Sequence, residues 1–256
     1  MDLKELPTRA FDRHPWEIAR ATFFLRLLRE WIAPGGLRVL DAGAGDGYFA
    51  ARMLAELPGL REVLCFDPAY DAAWIARQVP RDDRISFSAL RPTERCDLVV
   101  LLDVLEHADD DLALLKDTIS ASAAPNAWFL LSAPAYPSLF SRHDQILGHR
   151  RRYFPSAFRA LAAQAGLREL DHGQLFTSLL LPRALAKLRE RTRAGRPTVP
   201  ATTGHVQTAL GSWHHGAMTT SAVSALLHLD TAAARLASKW RLPLPGLSTW
   251  LLARLP

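Results

Sequence analysis

Short apolar runs alternate with helical patterns along most of the chain. Between Ala19 and Ile32, Phe23, Phe24, Leu27, Leu28 and Trp31 recur at helical spacing and Pro34-Gly35-Gly36 supplies a stop, so this stretch predicts a first helix. Five apolar runs follow at Leu37 to Leu40, Val63 to Phe66, Arg84 to Phe87, Leu98 to Leu102 and Trp128 to Ser132, each parted from the next by a loop or a helix-length segment. Near-continuous apolar strands alternating with helices predict a parallel sheet covered on both faces, a doubly wound α/β architecture.

The pattern then changes. Ala133 to Pro155 is rich in Pro, Ser, His and Arg and reads as a long loop of the kind that serves an active site. A helix is expected from Ser156 to Ala165, stopped by Gly166, with a strand at Leu167 to Leu170. Leu175 to Arg193 reads as helical despite Pro182, Arg193 to Gly204 has linker composition, and Ser221 to Trp240 returns to a helical period. In that last helix Val223, Leu226, Leu227, Leu236 and Trp240 lie on or near one face, and a final strand is expected near Ser248 to Ala253. No repeat at solenoid spacing is present.

Composition narrows the class. A chain of 256 residues can bury one sizeable core, and 49% hydrophobic with 22% charged residues excludes a disordered chain. Cys65 and Cys96 are far apart and form no C-x-x-C pair, which argues against a disulfide framework and a zinc site, so no metal is predicted and a reducing cytoplasm is the expected compartment. Met1 to Glu5 carries mixed charge with no apolar run behind it, against a signal peptide. Apolar stretches all fall short of the roughly 18 residues of a spanning helix, Leu175 to Leu181 included. The net charge of +5 allows anionic partners, but a modest arginine excess reads mainly as solvated surface.

The strongest chemical signal is Val39-Leu40-Asp41-Ala42-Gly43-Ala44-Gly45-Asp46-Gly47, at the junction of the first strand and the next helix. Glycines there let the backbone turn sharply and approach a ligand. A dinucleotide site shares the location but uses G-x-G-x-x-G and offers helix N–H groups to a pyrophosphate. Here the spacing is G-x-G-x-G, and carboxylates at Asp41 and Asp46 would repel a pyrophosphate. They suit a ligand with an ammonium and a sulfonium and no phosphate. Asp67 ends the second strand, where a carboxylate can accept both hydroxyls of a ribose, and Asp103 closes the fourth at the edge where open α/β sheets bind ligands. Taken singly, Asp67 before Pro68 can be a turn residue and Asp103 a cap; their joint placement at strand ends favours a site.

These residues resemble the class I, Rossmann-like methyltransferases that use S-adenosyl-L-methionine. Val39 to Gly47 matches the family's first motif, Asp67 its ribose-binding acid, and Asp97 to His107 its fourth strand and the segment after it. The resemblance covers Leu37 to Leu170 and implies a seven-stranded, mostly parallel sheet with an antiparallel last strand. It implies a cofactor site of Asp41, Gly43, Ala44, Gly45, Gly47, Asp67, Pro68, Ser88, Asp103 and Val104. Many relatives carry an acid after the third strand to meet the adenine; Ser88-Ala89-Leu90 stands here, so adenine would rest on Ser88 or on backbone atoms. The expected layout is one domain over 1–256: an N-terminal helical segment (1–36), a cofactor-binding core (37–172), a helical insertion or lid (173–246) and a final strand (247–256).

The acceptor is less legible. Asp103-Val104-Leu105-Glu106 replaces the Pro-Pro motif of base-amine methyltransferases, and no Pro-Cys nucleophile of cytosine C5 methyltransferases is present, which disfavours nucleic acid. Ser138 to Phe154 resembles a bacterial group of small-molecule methyltransferases with an H-D-x-x-x-G-H-x-R-R-Y segment, as do Arg13 to Glu17 and Pro245 to Ser248. A neutral His143 or His149 can take a proton from a hydroxyl near pH 7, with Asp144 orienting it. The structural alternative is that these side chains hold the loop shut. Arg150 to Arg152 admits a solvated run, an anion clamp or a nucleic-acid contact. Trp16, Tyr48, Arg152 and Tyr153 are the candidate acceptor contacts. If the late apolar helices line the pocket, the acceptor is hydrophobic or aromatic. The expectation is O-methylation of a small biosynthetic intermediate; the alternatives are a catalytically silent partner subunit and an RNA methyltransferase. Peripheral membrane contact and a homo-oligomer stay open.

Overall fold

A computed structural model describes residues 13–33, 35–78, 82–193, 215–240, 242 and 244–256. Helix α1 (Pro15–Trp31) begins with proline at its first position, where a missing N–H costs nothing, and the His14 ring accepts from the Trp16 N–H at 3.1 Å. Then come β1 (Leu37–Ala42), α2 (Tyr48–Glu56), β2 (Leu60–Phe66), α3 (Ala72–Arg77), β3 (Ile85–Ser88) and β4 (Cys96–Leu102). A 3₁₀ turn (Leu105–His107) leads to α4 (Asp111–Ser122), β5 (Ala123–Pro134), α5 (Arg142–Leu147), α6 (Pro155–Gln164) and β6 (Arg168–Leu175). Helices α7 (Leu180–Arg193) and α8 (Ala217–Lys239) precede β7 (Ser248–Arg254).

The seven strands form one sheet in the order β3-β2-β1-β4-β5-β7-β6, parallel except where β7 runs against both its neighbours. Strand period sorts the core into two layers. Val39, Leu98, Val100 and Leu130 face Phe24 and Met53 from α1 and α2, while Leu40, Val99, Leu101 and Phe129 face Leu115 and Phe158 from α4 and α6. The order reverses between β1 and β4, so the loops leaving their carboxyl ends diverge and open a crevice. That crevice positions the site.

Helices α1 and α8 and strand β2 start three or four residues before the expected positions, and four further regions differ from the sequence expectation. Strand β5 starts at Ala123, because the ladder to β4 is interrupted by a register shift at Cys96/Leu98 and resumes at Trp128, where the apolar run begins. Strand β6 continues to Leu175 through Asp171-His172-Gly173-Gln174; it is an edge strand paired only with β7, so polar residues fit it. The 133–155 stretch holds helix α5, started by a Ser141/Asp144 capping box and ended by Gly148 at φ +82°. Helix α7 starts at Leu180, which puts Pro182 in its first turn. The linker expected at 193–204 lies, after Arg193, outside the described residues, as do Pro34 and the N-terminal Met1 to Glu5. Among the described residues no helix is long and apolar enough to cross a membrane.

Candidate functional site

The loop after β1 is closed by backbone geometry. Gly43 (φ +75°) and Gly47 (φ +71°) adopt conformations that side chains avoid. A Cβ on Gly43 would lie 2.5 Å from Val104 Cγ2, and one on Gly47 2.7 Å from Phe87 Cε1. The Gly43 N–H donates to Phe66 O at 2.7 Å and the Gly45 N–H to Asp67 Oδ2 at 3.2 Å, while the Tyr70 hydroxyl donates to Gly45 O at 2.5 Å. The glycine loop and Asp67 therefore form one piece.

Asp41 is 3% exposed, and its Oδ2 has no hydrogen-bond partner. Burial pushes its carboxyl up to about 7. Asp103 sits at φ +58°, takes the Ser132 hydroxyl on Oδ1 at 3.0 Å, and pairs through Oδ2 with Arg20 of α1. Asp46 pairs with Arg13, whose guanidinium lies 3.7 Å from the centre of the Tyr48 ring. Arg13, two residues before helix α1, and Glu17 and Arg20 on it thus line a cleft with Asp41, Asp46 and Tyr48. Trp16 packs at 5.7 Å from Phe176, beneath the Arg20 guanidinium at 4.3 Å.

Beyond Asp103, buried charge shapes the site. Asp144 is fully buried and takes Arg152 Nε at 2.8 Å, Arg183 Nη2 at 2.7 Å, the Ser141 amide at 2.8 Å and hydroxyl at 3.0 Å, with His149 Nδ1 at 3.2 Å. Although burial opposes ionisation, the bond from His149 and the two guanidiniums hold this carboxyl far below the usual range. The backbone after α5 is fastened to the turn after β4 by Arg150 N–H to Glu106 O at 2.8 Å. Glu106, His107 and His149 come together there, with the His107 and His149 rings perpendicular at 4.7 Å. Glu106 is 0% exposed, neither of its oxygens is hydrogen-bonded, and burial pushes it up to about 8.

Residues 13–188, well over half of the chain, match the family model described as a methyltransferase domain. The chain belongs to this methyltransferase family. None of the curated proteins matches it in sequence. Among solved structures, a chain of the complex between the Haloferax volcanii Trm112 methyltransferase activator and a methyltransferase is similar at TM-score 0.54 and 17% identity, over 96% of this chain and 90% of that one. An S-adenosylmethionine-dependent methyltransferase from Mesorhizobium loti follows at TM-score 0.52 and 14% identity, covering 92% and 99%. The cyclase SpnF is similar at 0.53 and 15%, covering 93% and 81%. At these identities the likeness is one of fold.

The methyltransferase takes S-adenosyl-L-methionine as its cofactor, the donor of its family. Its residues fit that group: Asp41 has a buried oxygen without a hydrogen-bond partner, and Asp41 and Asp46 line the cleft beside Gly43. Ala44 is buried under the loop, and Pro68 is exposed beside Asp67. The Ser88 hydroxyl is engaged with the Leu90 amide and carbonyl at 3.0 and 2.7 Å, in its own turn.

Two acceptor-side expectations change. Tyr153 is buried against Phe158 with its hydroxyl on Asp111 Oδ2 at 2.7 Å, because the segment before α6 bridges back to Ala135 and turns the ring into the core. Arg152 is 7% exposed and committed to Asp144 and to Ala135 O at 3.2 Å, so it latches the loop. Arg150 and Arg151 are likewise bonded to Asp109, Asp111 and the carbonyls of residues 107–109. His143 is half-buried near Arg183 and lies outside the Glu106 group. The methyltransferase's Arg13, Arg20 and Glu106 escaped the sequence reading. A signal existed for the first two: Arg13, Glu17 and Arg20 stand at i, i+4 and i+7, Arg13 two residues before helix α1 and the other two among its buried positions.

Proposed function

We propose that the protein methylates a hydroxyl of a hydrophobic or aromatic small molecule, a biosynthetic intermediate, with S-adenosyl-L-methionine as donor. The observation that carries this reading is the His149–Asp144 pair, held at the carboxyl end of β4 next to the turn that follows Asp103. The bound cofactor supplies an electrophilic methyl carbon on a sulfonium. Asp41 would accept from its ammonium and Asp67 from its ribose hydroxyls, and Gly43, Ala44, Gly45, Gly47, Pro68, Ser88 and Val104 would provide the surface around it. Asp103 pairs with Arg20 and ties α1 to the edge of the site.

Alignment and proton removal are what the protein must add, since the leaving group is already activated. With Asp144 accepting from Nδ1, His149 presents Nε2 as the proton acceptor for the hydroxyl, and Asp144 positions it. His143 is the second candidate base. Tyr48, which lines the cleft, and Trp16, which packs under Arg20, are the aromatic candidates for stacking on the acceptor. The engagement of all three arginines of 150–152 with protein carboxylates and carbonyls supports a small acceptor over RNA, because an RNA grip needs cations aimed at phosphates.

Calorimetric titration with S-adenosylhomocysteine tests the donor half: one site is expected, and a folded protein that shows no binding overturns it. Methyl transfer from labelled donor to a panel of phenols, hydroxylated polyketides and short RNAs tests the acceptor half. Label in phenols or polyketides alone is expected; label in RNA alone overturns the reading.

A further inference from the structure

Glu106, His107 and His149 form a group that methyl-donor binding does not use. Glu106 lies in the 3₁₀ turn three residues after Asp103, fully buried, with both carboxylate oxygens unpartnered. A buried carboxylate without donors is costly unless something neutralises it. The nearby cations are already committed, Arg20 to Asp103 and Arg152 to Asp144. Instead two imidazoles stand beside it, and one ligand atom from each of the three residues lies within 4.8 Å of the others.

The surroundings are those of a metal-binding histidine. Asp144 Oδ1 faces His149 Nδ1 at 3.2 Å, which places the ring proton on Nδ1 and leaves the Nε2 lone pair available; a carboxylate behind the ring is the usual way to orient a ligating imidazole. Asp144 is itself held by Arg152 and Arg183 and so supports the ligand without competing for the ion. Arg150 fastens the two segments twice, through its N–H to Glu106 O at 2.8 Å and its Nε to His107 O at 3.0 Å. The three candidate ligands therefore sit on backbone that is tied together before any ion arrives.

We propose that Glu106, His107 and His149 bind a divalent transition-metal ion, zinc(II) foremost, with coordination positions left open. Two imidazoles and one carboxylate suit zinc and its neighbours in the first transition row, whereas magnesium and calcium prefer all-oxygen sites. Three protein ligands leave room for water or for an oxygen of the acceptor, whose proton the ion makes easier to lose. Nε2 of His149 cannot be both ligand and base; with the ion bound it is a ligand. An ion bound here therefore replaces the imidazole base of the acceptor reading and leaves the donor site as described.

The test uses the full chain without an affinity tag, stripped by a chelator and titrated with zinc chloride by calorimetry and with cobalt(II) by visible absorption. One equivalent of zinc and a cobalt d–d band are expected, with Glu106→Gln and His149→Ala each weakening zinc at least tenfold and His172→Ala leaving it unchanged. Glu106→Gln keeps the side chain's shape, so it decides the matter should His149→Ala fail to fold. Absence of stoichiometric binding, or affinity unchanged in Glu106→Gln, overturns the site. S-adenosylhomocysteine affinity is measured on the same samples and should agree within threefold with and without zinc, which separates failure here from failure of the donor site.

Discussion

The loop after β1 and the segment after β5 meet at the same edge of the sheet, yet one is shaped by backbone and the other by buried charge. Gly43 to Gly47 is short, has left-handed residues where side chains would collide with Val104 and Phe87, and is fastened to Asp67 and Phe66 by backbone donors. Residues 141–153 instead converge on one carboxylate, Asp144, which takes two arginines, a histidine and its own helix cap. A loop of the first kind keeps its shape with little help from distant residues. A loop of the second kind depends on α7 for Arg183, so the helix that follows the core also holds the 141–153 segment.

The sharpest way to break this contrast is Asp144→Ala. It leaves Arg152 buried without its partner and should cost about 3–5 kcal/mol, read as a lowered urea midpoint. A cost under about 1 kcal/mol would show that charge does not hold the segment. Next in size, Gly43→Ala forces a Cβ onto Val104 at positive φ; we expect S-adenosylhomocysteine affinity to fall well over tenfold while the fold survives, since the strain of one left-handed residue is about 1–2 kcal/mol. Unchanged affinity would remove the loop from the donor site.

Asp41→Asn comes third, and it separates binding from stability. Its carboxylate is buried and unpartnered on one oxygen, so the amide should weaken cofactor binding about ten- to a hundredfold, in keeping with a charged hydrogen bond of about 1.5–3 kcal/mol, without destabilising the protein. The same residue sets a pH dependence of opposite sign for the two properties. Its folded carboxyl is raised to about 7, above the unfolded value, so its contribution to stability is full below the ordinary carboxylate range and is lost as pH rises through about 7. An ammonium favours the ionised form, so cofactor affinity should fall as pH drops below 7, by up to about tenfold per unit. Melting temperature and calorimetry between pH 5.5 and 8 check both trends, and Asp41→Asn should flatten them. Smallest is Arg151→Ala: its pair with Asp111 is a third exposed on the arginine side and screened, so the cost should stay below about 1 kcal/mol in the same urea titration.

The contrast also explains what could be read early. Asp41, Gly43, Gly45 and Gly47 lie within seven consecutive residues, and their chemistry follows from local turns at a strand end. The apolar runs of β1 to β4 and their alternation with helices carried the doubly wound sheet in the same way. Arg152 and Tyr153 look like ligand contacts in a row of letters; packing turned one to Asp144 and the other to Asp111. Glu106 looked like one more residue after β4, and only folding buried it beside two imidazoles.

By itself, then, the order of residues determined the sheet, the family resemblance and the glycine turn after β1, because strand period, glycine φ and strand-end acids act over a few residues. The tertiary structure decided how Arg13 and Arg20 reach Asp46 and Asp103, where Asp144 gathers its partners, and that Glu106 meets His107 and His149. Those outcomes depend on side chains distant in sequence competing for the same buried charge, and no local pattern states who wins.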